Sequence, residues 1–486
     1  MIGAFLHLAK ILFMVPFLVI KHRLLYPHSP SEEIKNIGIF HIPCHIHGGG
    51  EKVLWAMVDS LVRAEYNVTV YCTIIEDKEL LLKQVKANFG YDISLSKFRI
   101  LEIDSAYLAY GTDWPGPTKY LRAITQLAVA FDVLEKDMPD LFIESWSAHF
   151  SVLAVKLLNP HISIYTYLHF VWRDKYYMDG YYNEWNEIGA SLYKIKLFLE
   201  IVYNYLQTML FRYLTNFIDV CIANSTHTKD LLEEMWGRGK CITLYPPCNI
   251  EGLLEEDFTK KTRTVISVSQ FRWEKRQEVQ LDAIAYHQKK HPESTFKFKI
   301  MGNSKVHESD LVFAGLQKKL KELGLKNTEL IRDSSIEQLR HHVSTASIGM
   351  HTLHREPFGI SIAEMLAGGI YILAHNSAGP RSDILGHGGE PLYGELYDGY
   401  DEFYVKLNKI IENFDDPVKR AEMQNKVRAG QKNARDNLSN EAFSRNLIAI
   451  VKKTDKELKV KYEMSRPQGQ AKSTTQKGKK PSKEDL

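Results

Sequence analysis

Residues 36–42 read NIGIFHI, and the segment HGGGEK at 47–52 follows closely. The first run is apolar and contains β-branched residues, which is typical of a buried strand. The glycines predict a tight loop, and a helical pattern begins at about Glu51. A buried strand, a glycine loop and a helix in this order predict the first unit of a parallel α/β sheet.

The same scheme recurs along the chain and predicts an α/β fold. Further apolar, strand-like runs in the first half are 66–72, 98–103, 140–145, 162–168 and 218–223. Those in the second half are 264–270, 295–301, 328–332, 346–350 and 370–374. Between the halves, 245–262 contains two adjacent prolines and an acidic stretch, which is the composition of a linker.

We therefore expect two Rossmann-like domains, at 36–245 and 262–452, with the last helix packing back on the first domain. Ligands of open parallel sheets bind outside the carboxyl ends of the strands. Two such domains facing each other form a cleft, and the chemistry is expected there. The length of 486 residues suits this organisation, since one core rarely serves more than about 250 residues.

Composition and charge exclude several classes of function. Hydrophobic residues make up 44% and charged residues 25%, as in folded globular proteins. The 62 basic and 59 acidic residues nearly balance, and no basic patch interleaved with aromatics appears, so we expect no nucleic-acid binding. The five cysteines form no C-x-x-C pair, which argues against a zinc ribbon and favours buried free thiols in a reducing compartment.

The two ends of the chain differ from its body. Residues 1–20 are mostly apolar and the basic cluster 21–23 follows them, which predicts a membrane anchor at 1–23 with the rest in the cytosol. Residues 190–215 are unusually apolar and fit either a core helix or a helix lying on a membrane. The polar segment 465–486 predicts a disordered basic tail.

The glycine loop is the first candidate binding element. Consecutive glycines let the backbone approach a ligand closely, and the N-terminus of the following helix favours anions. The predicted donor-binding residues of this loop are Gly48, Gly49 and Gly50. A plain tight turn explains the loop equally well when it is considered alone.

A basic segment, SQFRWEKR at 269–276, directly follows the first predicted strand of the second domain. Arg272 can grip phosphate oxygens through two parallel hydrogen bonds, and Lys275 adds a point charge. The pair predicts a phosphate site at the strand end, with a solvated basic turn as the alternative.

The segment HREPFGISIAEM at 354–365 holds Glu356 and Glu364, which seven residues separate. A helix beginning near Phe358 would direct free backbone N–H groups at an anion. The residues expected to supply these groups are Gly359, Ile360 and Ser361. Glu364, two turns on, can accept hydrogen bonds from ribose hydroxyls. The alternative is a pair of glutamates on a surface helix.

Taken together, the two glutamates, the Arg272/Lys275 pair and the glycine loop resemble retaining glycosyltransferases of the GT-B fold, in their fourth sequence family. The resemblance narrows to the eukaryotic asparagine-linked-glycosylation α-1,2-mannosyltransferases. It rests on GGGEKVLW at 48–55, ANS at 223–225, YPPC at 245–248, IGMHT at 348–352 and HNSAGP at 375–380. These matches extend from about 37 to 383.

The resemblance implies an activity and a location. Members of that family use GDP-mannose and extend the dolichol-diphosphate-linked Man3GlcNAc2 oligosaccharide by two α-1,2-linked mannoses, with retention, on the cytosolic face of the endoplasmic reticulum. Residues 36–245 would then be the acceptor side and 262–452 the donor-nucleotide domain. Other mannosyltransferases of the same pathway are the implied protein partners.

The resemblance also implies roles for residues. His169 would lie near the mannose and Glu356 near its hydroxyls, and with Arg272 and Lys275 they form the predicted catalytic set. No D-x-D motif occurs in the chain, so Arg272, Lys275 and the helix N-terminus are expected to stabilise the leaving diphosphate without a metal. The alternatives are a related transferase with another lipid acceptor or donor, and a catalytically silent scaffold of the same fold.

Overall fold

The computed structural model describes most of the chain in ten stretches. These are residues 2–25, 33–45, 48–110, 122–171, 192–237, 239, 241–253, 257–303, 307–387 and 390–465. The predicted tail from 466 onward lies outside them.

The first domain is built on seven parallel strands in the order β3-β2-β1-β4-β5-β6-β7. The strands are β1 (Asn36–Phe40), β2 (Asn67–Cys72), β3 (Arg99–Glu102), β4 (Leu141–Glu144), β5 (Ser163–Leu168), β6 (Val220–Ala223) and β7 (Cys241–Thr243). Its α-helices are α1 (Ile2–Leu25), α2 (Gly49–Arg63), α3 (Lys78–Phe89), α4 (Tyr107–Tyr110), α5 (Arg122–Lys136), α6 (Ser151–Leu158), α7 (Leu192–Leu214) and α8 (Thr226–Trp236).

The second domain has six parallel strands and a short hairpin. Its strands are β8 (Thr262–Val268), β9 (Lys297–Gly302), β10 (Thr328–Arg332), β11 (Ala346–His351), β12 (Tyr371–His375), β13 (Gly386–His387), β14 (Glu390–Pro391) and β15 (Glu395–Tyr397). The six-stranded order is β10-β9-β8-β11-β12-β15, and β13 pairs with β14. The α-helices are α9 (Gln277–Lys290), α10 (His307–Glu322), α11 (Ile336–Thr345), α12 (Ile360–Ala367), α13 (Tyr400–Asp415), α14 (Pro417–Asn433) and α15 (Asn440–Ser465).

The apolar strand runs arise because both faces of each sheet are covered. In β1, Ile37 and Ile39 pack with residues of α2, whereas Phe40 packs with Phe131 of α5 and Phe142 of β4 on the opposite face. A strand buried on both faces needs apolar residues at successive positions. This explains why the sequence shows continuous runs in place of alternation.

The structure has two parallel-sheet α/β domains, in agreement with the predicted fold class, and every predicted strand is present with boundaries shifted by a few residues at most. The sequence pattern did not predict β7, β15 or the β13–β14 hairpin. Each has two or three residues, so none offers a run long enough to show a period.

Helix α1 forms where a membrane anchor was expected, but it packs on the protein. Its Leu8 and Leu18 are buried in the cluster that contains residues of α5 and α6. In the described part of the chain, no helix is long and apolar enough to cross a membrane. The prediction of a membrane-spanning anchor at 1–23 is therefore not supported. Lys10 interrupts the apolar run, and part of the apolar surface of α1 belongs to the domain core.

Helix α7 is not a core helix. Leu197 and Leu214 are buried, but many of its large apolar side chains are exposed. The most exposed are Ile195, Leu199, Tyr205, Leu206 and Tyr213.

The last helix, α15, returns to the first domain. Phe443, Leu447 and Val451 join the core cluster that contains α2 and β1. The backbone N–H of Ile34 donates to Asp455 Oδ1 at 2.8 Å. The last described helix therefore lies on the first domain, and these contacts connect the two halves of the chain.

Candidate active site

The candidate site lies where the carboxyl ends of the two sheets approach each other. Loops after β1 and β5 come from the first domain, and loops after β8 and β11 come from the second. The two sides are in contact, because a Cβ at Gly49 would lie 3.5 Å from Ile360 Cδ1. The first turn of α2 thus lies beside the first turn of α12. Both helix N-termini carry partial positive charge, so this junction suits an anion.

The glycine loop is held by Glu51, in the first turn of α2. The N–H of Gly48 donates to Glu51 Oε2 at 2.9 Å, and Glu51 Oε1 lies 3.5 Å from Nε2 of buried His41. Burial by itself would raise the pKa of the Glu51 carboxyl, but His41 and the backbone N–H groups lower it more, so the pKa lies below its ordinary value. The ionised carboxylate fixes the loop conformation.

His169 follows β5 and lies against the glycine loop. Its Nε2 is 3.1 Å from the carbonyl oxygen of Ser145, and a Cβ at Gly50 would lie 3.6 Å from the same nitrogen. A carbonyl only accepts, so Nε2 carries the hydrogen. Burial lowers the pKa of His169 to about 4, with a further contribution from His41. The imidazole is neutral at neutral pH, which leaves Nδ1 as a hydrogen-bond acceptor.

Helix α12 begins at Ile360, two residues after the start predicted from the sequence. Gly359 caps it with φ 110°, in the left-handed region that favours glycine. Ile360 is the first helical residue and Ser361 the second, so their N–H groups have no partner within the helix. Phe358 is buried against Tyr245, with ring centroids 5.6 Å apart, and anchors the turn.

Glu356 and Lys275 form an ion pair in the second domain. Lys275 Nζ lies 2.6 Å from Glu356 Oε2, and the side chains are 18% and 15% exposed. His351, at the end of β11, places Nε2 3.4 Å from the same oxygen. Burial opposes ionisation of Glu356, but the Lys275 ammonium and His351 outweigh it and hold the pKa at about 2. The carboxylate is charged across the whole physiological range.

Two residues outside the predicted site support the loop that carries Lys275. The Thr352 hydroxyl donates to the Lys275 carbonyl at 2.7 Å, and Gln280 Nε2 donates to that hydroxyl at 2.8 Å. Thr352 lies within the IGMHT segment, so a sequence motif marked this residue. Gln280 lies within helix α9, and no sequence motif marked it.

Arg272 is placed differently from Lys275. Its Nε lies 3.1 Å from Glu274 Oε1, and both side chains are 45% exposed. The structure therefore brings Lys275 and Glu356 together and leaves the Arg272 guanidinium at the solvent-exposed side of the same loop.

Glu364 receives a partner from the other domain. Lys52 Nζ, from the first turns of α2, lies 2.6 Å from Glu364 Oε1. The N–H of Asn249, in the connecting segment, donates to the same oxygen at 3.0 Å. Lys52 has no role among the predicted site residues, because 312 positions separate it from Glu364 and no sequence pattern connects the two.

Within the described stretches, no cluster of three or more His, Cys, Asp or Glu side chains could hold a metal ion. All five cysteines are buried and free, as predicted. The positive charge described at the cleft comes from Lys52, Lys275 and the N-termini of α2 and α12.

Two parallel-sheet domains that face each other across a cleft lined by anion-binding elements form the GT-B fold. A sucrose-phosphate synthase from Thermosynechococcus elongatus matches the fold with a TM-score of 0.60 at 13% identity, over 86% of this chain and 99% of that one. Anabaena HepE, solved with UDP and glucose, matches with a TM-score of 0.57 at 16% identity, over 86% and 99%.

Sequence comparison gives the family. Residues 34–236 match the ALG11 mannosyltransferase N-terminus, and 255–451 match glycosyl transferases group 1. The chain belongs to the family of GDP-Man:Man(3)GlcNAc(2)-PP-Dol alpha-1,2-mannosyltransferases. It is 30% identical to the Xenopus laevis member over 394 residues, covering 78% of this chain and 80% of that protein. It is 26% identical to the human member over 451 residues, covering 87% and 89%.

Proposed function

We propose that this protein transfers mannose from GDP-mannose to a dolichol-diphosphate-linked Man3GlcNAc2 oligosaccharide, in assembly of the N-glycan precursor. It adds two α-1,2-linked mannoses with retention of configuration. The observation that carries the proposal is the cleft in which the start of α12 lies against the glycine loop, with the Lys275–Glu356 ion pair in the same domain as α12. The relatives' names supply the donor and the acceptor.

The reaction breaks the bond between the anomeric carbon and the phosphate oxygen, and forms one from that carbon to the acceptor oxygen on the same face. Negative charge develops on the leaving diphosphate. Lys275, Arg272 and the N–H groups at the start of α12 are suited to stabilise it. The proton of the acceptor hydroxyl passes to an oxygen of the leaving phosphate, so no carboxylate nucleophile is needed.

Two neighbouring groups fit the sugar. Neutral His169 offers Nδ1 to a mannose hydroxyl and, without a charge, does not repel positive charge developing at the anomeric carbon. The Glu356 carboxylate, ionised and anchored by Lys275, accepts hydrogen bonds from further hydroxyls. These roles for His169 and Glu356 follow from the family resemblance and stay predictions.

The transfer is proposed to proceed without a metal ion. Its support is the supply of positive charge by Lys275, Arg272 and two helix N-termini beside the cleft. Activity is therefore expected to persist after treatment with a chelator. A loss that added manganese restores would refute this part of the proposal.

The enzyme is proposed to work at the cytosolic surface of the endoplasmic reticulum membrane. The dolichol chain of the acceptor lies in a membrane, so the cleft must reach one. Exposed apolar side chains on α1 and α7, such as Phe13 and Leu206, support a membrane-facing surface. The buried free cysteines suit a reducing compartment. Assembly with other mannosyltransferases stays a prediction from the resemblance.

A transfer assay tests the proposal directly. The purified chain is incubated with labelled GDP-mannose and dolichol-diphosphate-linked Man3GlcNAc2, and the added sugars are counted and digested with an α-1,2-mannosidase. We expect two additions, both removed by the enzyme, and none from the Lys275→Met variant. Transfer from a uracil nucleotide sugar, or to a different lipid acceptor only, would refute the assignment. GDP binding without any transfer would favour a silent scaffold.

A further inference from the structure

We propose that Lys52 is a positioning residue for the donor nucleotide: it fixes one oxygen of Glu364 so that the other can accept hydrogen bonds from the ribose hydroxyls. The inference rests on the proposed function, because it requires a nucleotide sugar in the cleft. It adds a residue from the acceptor-side domain to a subsite that otherwise belongs to the donor domain.

The geometry leaves one carboxylate oxygen of Glu364 available. Lys52 Nζ at 2.6 Å and the Asn249 N–H at 3.0 Å both donate to Oε1. Within the described stretches, no hydrogen bond reaches Oε2. The side chains of Lys52 and Glu364 are 7% and 20% exposed, so the lysine is enclosed while the carboxylate keeps some access to the cleft.

The stability of helix α2 does not account for a lysine at this position. Lys52 lies at the end of the first turn of α2, where the partial positive charge of the helix N-terminus disfavours a cation. An ammonium that is removed from water also costs free energy unless it is paired. Glu364 is its partner, and that partner comes from the opposite domain. A buried charge at an unfavourable helix end indicates a role at the cleft.

Two donors on a single oxygen restrict the rotation of a carboxylate. A ribose that donates its hydroxyls to Oε2 then meets an acceptor that is already oriented, and less conformational freedom is lost on binding. Without Lys52, Glu364 keeps the Asn249 contact alone and can turn. The binding free energy contributed by the ribose hydroxyls should therefore depend on Lys52, whereas the part contributed by contacts to the diphosphate should not.

The test is a thermodynamic cycle that combines a substitution in the protein with the removal of the ribose hydroxyls from the ligand. Dissociation constants of GDP and 2′,3′-dideoxy-GDP are measured by titration calorimetry for the full chain and for Lys52→Met. For the wild type we expect the dideoxy nucleotide to bind at least about tenfold more weakly. In Lys52→Met, GDP should bind about tenfold more weakly while the affinity for dideoxy-GDP changes by less than about twofold.

Two further variants separate positioning from folding. Lys52→Arg keeps the charge and should retain most of the ribose preference. Lys78→Met removes a lysine that pairs with Glu102 at 3.4 Å within the first domain, and it should leave both affinities unchanged. Thermal unfolding verifies that each variant is folded, and Lys52→Gln replaces Lys52→Met if the latter is not.

The outcomes distinguish the inference from the proposed function. Equal loss of affinity for GDP and dideoxy-GDP in Lys52→Met would overturn the inference and leave the proposed function standing. A wild type that binds GDP without any ribose preference would do the same. A wild type that binds UDP and not GDP would refute the proposed donor. The cycle would then be run with UDP and dideoxy-UDP, since the ribose is common to both, and would decide the role of Lys52 independently.

Discussion

Replacing Lys275 by methionine tests the electrostatic design of the donor site most directly. The substitution keeps an unbranched side chain of similar length and removes the ammonium 2.6 Å from Glu356. Glu356 is then a largely enclosed carboxylate without a cationic partner among the described residues, and His351 lies beside it at 3.4 Å. Stability and activity should both fall, and they should respond differently to a second substitution.

The expected loss of stability follows from the burial of the pair. Removing one partner of a buried ion pair costs about 3–5 kcal/mol, because the remaining charge is uncompensated. The Lys275 and Glu356 side chains are 18% and 15% exposed, which places this pair at the lower end, at about 3 kcal/mol. For a domain of roughly 200 residues this corresponds to a melting temperature lower by roughly 6–12 °C.

A double substitution separates charge from packing. Lys275→Met with Glu356→Gln leaves no unpaired charge, so we expect much of the lost stability to return. Transfer activity should stay at least about a hundredfold below wild type in the double variant, since the charge facing the leaving group is absent. Scanning calorimetry measures the first quantity and the labelled transfer assay measures the second.

The pH dependence gives a second measurement of the same interaction. Folding depresses the pKa of Glu356 from 4.5 to about 2. A depressed carboxyl contributes stability that is fully present above its unfolded pKa and is lost as the pH falls through the folded pKa. The difference in melting temperature between wild type and Lys275→Met should therefore be largest near neutral pH and should shrink between about pH 5 and pH 2.

The matched control is an ion pair on the surface with a similar distance between nitrogen and oxygen. Lys86 lies 2.7 Å from Asp92, with side chains 60% and 75% exposed, and such pairs contribute no more than about 1 kcal/mol. Lys86→Met should therefore melt close to wild type. If Lys275→Met also melts within about 2 °C of wild type, less than about 1 kcal/mol is involved and the reasoning from burial is refuted.

Three further results are expected. Arg272→Ala should lower turnover by about a hundredfold with almost no change in melting temperature, because its guanidinium is exposed and meets Glu274 at the surface; unchanged turnover would remove Arg272 from the catalytic set. Treatment with a chelator, followed by the transfer assay, should leave the rate unchanged. Gly379→Ala should lower the melting temperature, because its Cβ would lie 2.3 Å from the Phe358 carbonyl oxygen, whereas Gly399→Ala has nothing within 4 Å and serves as the control.

The sequence predicted the sheets because the central strands are enclosed on both faces. Burial on two faces forces apolar residues into successive positions, and runs such as 162–168 are then visible without an alignment. It also predicted where site residues would lie, since loops after parallel strands share an edge. His169 and Lys275 follow β5 and β8 for this reason.

Hydrophobicity alone could not predict what the apolar helices contact. The run at 1–20 has the length of a membrane span, yet Leu8 and Leu18 face α5 and α6. An apolar side chain contributes the same transfer free energy in a lipid and in a protein core, so composition does not distinguish them. The 190–215 segment shows the opposite case, since a run compatible with a core helix exposes residues such as Leu206.

The two glutamates of the Glu-x7-Glu element show why the site was only partly predictable. Each carboxylate is matched by a lysine at 2.6 Å. Lys275 belongs to the same domain as Glu356, so their pairing follows from the order of β8 and β11 in one sheet. Lys52 belongs to the other domain, so its pairing with Glu364 depends on how the two domains face each other. The ion pair of Glu356 is therefore assembled within one domain, whereas the proposed ribose subsite needs a residue from the other.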